Sequence, residues 1–133
     1  MMDRDAKLLA ILRVGHETSF GANPGISLRE ALTRTKYREL RPSFGPEDLL
    51  PLIRANPALA EEWVAYSEGK RTTGGWYLSE RGEIGRIGRV FAPKSRMRFD
   101  SLEEGVAEYV VRELDFWAGL RRIRTFLSWL RRR

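Results

Sequence analysis

The sequence predicts an α+β domain in which several helices pack on a small antiparallel β-sheet. Helix-start signals recur through the first half of the chain, and from Gly74 the pattern changes to that of a hairpin. Asp100-Ser101-Leu102-Glu103-Glu104 is a capping box that opens a long C-terminal helix. At 133 residues the chain fits one domain, spanning 1–133 with a basic helical tail over 121–133. By size scaling such a domain buries roughly two thirds of the surface that its unfolded chain exposes.

Leu8, Leu9, Ile11 and Leu12 fall on a helical period, so the first helix runs from Asp3 to Val14 and ends near Gly15. Ser19 to Gly25, with Asn23-Pro24-Gly25, reads as a loop. Ser27-Leu28-Arg29-Glu30 is a capping box, and the helix it starts is expected to run toward Leu40. Pro46, followed by Glu47 and Asp48, places proline at a first helical position and acids at the positive end of the dipole. Pro51 should shorten or kink that helix. Asn56-Pro57 repeats the start signal, after which Leu59, Trp63 and Tyr66 share a core face and Gly69 stops the helix.

The stretch Tyr66 to Leu78 joins that helix to the hairpin through Gly69, Gly74 and Gly75, with Lys70, Arg71, Thr72 and Thr73 expected to be exposed between them. Trp76-Tyr77-Leu78, the polar turn Ser79 to Gly82, and Glu83 to Phe91 form the hairpin, and Arg96 to Phe99 is a possible third strand. Gly82, Gly85 and Gly88 recur every third residue, against the two-residue strand period. That spacing points to bulges or close backbone approach.

On the wheel of the C-terminal helix, Val106, Ala107, Val110, Val111, Leu114, Trp117 and Ala118 form the core arc. Glu104, Glu108 and Asp115 form an acidic line beside it, with Tyr109 and Phe116 on the far side of that line. Leu120, Ile123, Phe126, Leu127 and Leu130 make a second apolar arc, rotated by roughly 170° if the helix continues. Either the helix breaks near Gly119 and the last segment folds back, or it stays straight and presents Tyr109, Phe116, Leu120, Ile123 and Leu127 to a second surface, for which a partner chain is one candidate. Oligomeric state stays open at this level.

The net charge of +6 sits in the tail, because 121–133 hold six arginines and no acid while the rest is balanced. Arg121, Arg122, Arg124, Arg131, Arg132 and Arg133, with Trp129 among them, could grip phosphate and stack a base, lie on an anionic membrane surface, or simply complement a helix dipole. No cysteine is present, which excludes disulfides and thiolate chemistry. The opening residues lack a signal-peptide layout and no apolar run is long enough to span a membrane, so a cytoplasmic protein is expected.

His16 stands without a second ligand type nearby, and adjacent carboxylates such as Glu61/Glu62 and Glu103/Glu104 point about 100° apart on a helix. Gly69-Lys70-Arg71-Thr72 lacks the upstream glycine and strand of a phosphate loop. Gly82-Glu83-Ile84-Gly85 and Gly85-Arg86-Ile87-Gly88 match the short GXXG loop of KH domains, but in a strand pattern rather than between helices. The reading is therefore not an enzyme, with no cofactor and no metal.

Leu28-Arg29-Glu30-Ala31-Leu32, Leu40-Arg41-Pro42-Ser43-Phe44, Tyr66 to Leu78 and Phe99 to Trp117 are blocks in which the chain resembles the small bacterial immunity proteins of contact-dependent growth inhibition and related polymorphic toxin systems. The resemblance implies a cytoplasmic inhibitor that binds one cognate toxin domain, usually a nuclease, and no binding residues carry over with it. Acidic stripes on a neutral body suit a decoy for a basic cleft. Glu61, Glu62 and Glu68, and Glu104, Glu108 and Asp115, are the candidate acids. Tyr109, Phe116 and Trp76 are candidate aromatic anchors, with Lys70 and Arg71 as secondary contacts. Small nucleic-acid binding through the Arg-rich tail is the alternative function.

Overall fold

The computed structural model describes residues 3–18, 26–70, 74–87 and 96–120. In chain order these form α1 (Arg4–Leu12), α2 (Val14–Thr18), α3 (Leu28–Arg34), α4 (Tyr37–Leu40), a 3₁₀ turn (Arg41–Ser43), α5 (Pro46–Ala55), α6 (Ala58–Gly69), β1 (Trp76–Leu78), β2 (Ile84–Arg86) and α7 (Leu102–Trp117). The class is α+β, with helices packed against a two-stranded antiparallel sheet. Helix α7 lies at the centre, against α5, α6 and β1.

Local signals explain the helix starts. Asp3 accepts the Ala6 N–H at 2.7 Å, Ser27 accepts the Glu30 N–H at 3.1 Å, and Ser101 accepts the Glu104 N–H at 3.2 Å. Helix α5 starts at Pro46 as expected, but it runs through Pro51 to Ala55 rather than stopping early. Helix α3 does not reach Leu40. Thr33 and Thr35 donate their hydroxyls back to the carbonyls of Arg29 and Ala31, and Lys36 then turns left-handed at φ 55° before α4 begins.

Gly15 is not a helix stop either. It lies within α2, and the Trp63 indole occupies the space where its Cβ would be, with ring atoms 2.7–2.8 Å from that position. Trp63 is fully buried, donates its Nε1–H to the Leu12 carbonyl at 2.8 Å and meets Tyr66 and Tyr109 edge to face. This aromatic cluster ties α1 and α2 to α6 and α7.

The hairpin pairs Trp76 with Arg86, Tyr77 with Gly85 and Leu78 with Ile84. The suggested third strand reduces to one antiparallel bridge, Ile84 to Met97. Gly85 sits in regular register, whereas Gly82, at φ 86°, turns the hairpin against the start of α7. There Gly105 presses onto the Gly82 backbone so closely that a Cβ at Gly105 would strike the Gly82 carbonyl. This is the close approach expected of Gly82; Gly88 lies outside the described residues.

Helix α7 ends in a Schellman motif. The Leu120 N–H reaches the Asp115 carbonyl at 2.8 Å, the Gly119 N–H reaches Phe116 at 3.2 Å, and Gly119 takes φ 78°. The helix therefore breaks at Gly119 rather than continuing straight. Residues 121–133, including all six tail arginines, lie outside the described residues.

Candidate functional site

The joint between α6 and β1 holds the densest polar arrangement among the described residues. Helix α6 ends at Gly69, and Lys70 leaves it in extended geometry with its side chain directed inward. The Glu113 carboxylate meets it from α7: Lys70 Nζ lies 2.8 Å from Glu113 Oε2, and the two side chains are 7% and 0% exposed. Three further donors converge on Glu113, namely the Tyr66 hydroxyl at 2.8 Å, Trp117 Nε1–H at 2.9 Å and the Trp76 backbone N–H at 2.7 Å. Lys70 also donates to the carbonyls of Trp76 at 3.0 Å and Gly74 at 3.3 Å.

Gly75 makes this packing possible. Its φ of 77° brings its backbone against the cluster, where a Cβ would stand 2.5 Å from Glu113 Oε1 and 2.9 Å from Lys70 Nζ. Next to it, Ser67 Oγ accepts the Leu78 N–H at 2.8 Å, which fixes the far end of β1 to α6. Burial holds the Tyr66 hydroxyl far above the ordinary tyrosine pKa, with the Glu113 charge adding to the effect. Burial and then Glu113 raise Tyr109 in the same way, while Ser67 works in the opposite direction.

A lysine, a carboxylate and a tyrosine in contact are groups from which proton-transfer sites are built. Here their hydrogen bonds are already committed. The ammonium has three protons and three acceptors, and Glu113 receives four donors while fully buried. The cluster acts as a clasp between α6, β1 and α7. Among the described residues no group of three or more histidines and acids is placed to hold a metal ion, and no helix is long and apolar enough to cross a membrane.

Three of the contact residues expected from sequence are inside the domain. Lys70 belongs to the clasp rather than to an exposed loop. Tyr109 is fully buried in the aromatic cluster. Asp115 is buried as well, accepting the Tyr37 hydroxyl at 2.7 Å and Arg41 Nε at 2.9 Å. The two α7 corrections, Tyr109 and Asp115, share a cause: α7 is covered on three sides, so its buried arc extends past the apolar residues on both flanks.

The other two acids of the expected α7 line, Glu104 and Glu108, are half-buried and engaged. Glu104 accepts the Ser101 hydroxyl at 3.1 Å, and Glu108 pairs with Arg112 at 2.8 Å. Arg112 in turn lies over the half-buried Trp76 ring at 4.9 Å. Phe116 is half-buried and meets Trp117 edge-on, while Trp117, expected in the core arc, is 38% exposed. Its Nε1–H is drawn to Glu113, which leaves the ring at the surface.

Helix α6 behaves differently. Glu61 and Glu68 are exposed, and the half-buried Glu62 faces His16 across 3.6 Å. Arg71 lies outside the described residues. Sequence reasoning missed Glu113, yet a signal existed: on the wheel it stands about 20° from Val106, within the buried arc. A charge placed there requires a buried partner. Comparison with known protein families, curated proteins and solved structures finds no match for this chain.

Proposed function

We propose that this protein is an immunity protein that binds and neutralises a cognate toxin domain, a nuclease, in the cytoplasm, and that it uses the acidic side of α6. The observation supporting this choice of surface is the contrast between the helices. The acids expected on α7 are turned inward or paired, whereas Glu61 and Glu68 remain exposed on α6 with no ion pair among the described residues. They are seven residues apart, two helical turns along one face, with Glu62 on the flank. Such a stripe complements the basic cleft through which a nuclease receives its phosphate backbone, and it would speed encounter and select the partner.

Co-expression with the product of the adjacent upstream gene tests the role directly. A stable soluble complex is expected, and a toxin-like neighbour that does not bind overturns it. Glu61→Lys with Glu68→Lys tests the surface. The double variant should keep its melting temperature within the small range usual for exposed substitutions, and lose tenfold or more in association rate at low salt. An unchanged rate in a complex that still forms moves the interface away from α6.

A further inference from the structure

We draw no further inference here: the strongest candidate, the surface patch of Phe116 and Trp117 at the C-terminal end of α7 beside the entry to the hairpin, carries nothing because nothing in the structure shows what covers it.

Discussion

Glu113 and Asp115 are two residues apart on α7 and both are buried, yet they project about 160° apart around the helix and meet different partners. Glu113 is neutralised by Lys70 at the α6–β1 joint, and Asp115 by Arg41 in the 3₁₀ turn that precedes α5. The lysine clasp is the drier one: its side chains are 7% and 0% exposed, against 15% and 2% for Arg41 and Asp115. It also draws four donors onto one carboxylate, where Asp115 receives the Tyr37 hydroxyl and Arg41. Arg41 divides its guanidinium between Asp115 and the Phe44 carbonyl. One clasp therefore secures the hairpin to the helices; the other secures a turn between helices.

The difference sets the ranking of effects. Lys70→Met leaves a carboxylate in the interior without its counter-charge, and removal of one partner of such a pair costs about 3–5 kcal/mol. Urea denaturation is expected to show that loss. Lys70→Met combined with Glu113→Leu should recover only part of it: the unpaired charge is removed, but the Tyr66 hydroxyl and the Trp76 N–H lose their acceptor. If the single variant retains full stability, water reaches the clasp and its account as a dry pair is wrong. Arg41→Met should cost less, about 3 kcal/mol or below, since the Arg41–Asp115 pair lies nearer solvent. The reverse order in the same denaturation series would break the comparison.

Alkaline pH probes the lysine clasp from another side. Tyr66 and Tyr109 have folded-state pKa values above the ordinary 10.0, so the unfolded chain gives up these protons first as pH rises. Their neutral forms cost no stability below about pH 10, and above it each should remove about 1.4 kcal/mol per pH unit while it stays protonated in the fold. Stability measured from pH 9 to 11.5 should hold up to about pH 10 and then fall with that slope for each tyrosine. Tyr66→Phe with Tyr109→Phe should flatten it, and an unchanged slope would assign the alkaline loss elsewhere.

Much of the fold was legible because its signals are local. Ser27, Pro46 and Ser101 declare helix starts within one turn, and the hairpin announces itself at Trp76-Tyr77-Leu78. The candidate surface was less legible. Asp115 looked solvated because a helical wheel assumes one buried side, and nothing near α7 in sequence reveals that Tyr37 and Arg41 cover a second. Lys70 looked exposed because its neighbours are polar and glycine-rich, while its partner Glu113 comes from a distant element. Glu61 and Glu68 are exposed, since α6 has the single buried side that the wheel presumes.

Two glycines carry the comparison to its smallest scale. Gly75 and Gly119 have nearly the same φ, 77° and 78°, but Gly75 lies against the Lys70–Glu113 cluster, and among the described residues nothing stands within 4 Å of where a Gly119 Cβ would go. Gly119→Ala therefore meets only the left-handed backbone penalty, about 1 kcal/mol. Gly75→Ala meets that penalty and also pushes on Glu113 Oε1, so its cost should be about 2 kcal/mol or more. Thermal unfolding of the pair isolates packing from backbone conformation, because the dihedral is shared. Equal losses would mean that the clasp yields to an added methyl group, and that its four donors hold Glu113 less firmly than their geometry implies.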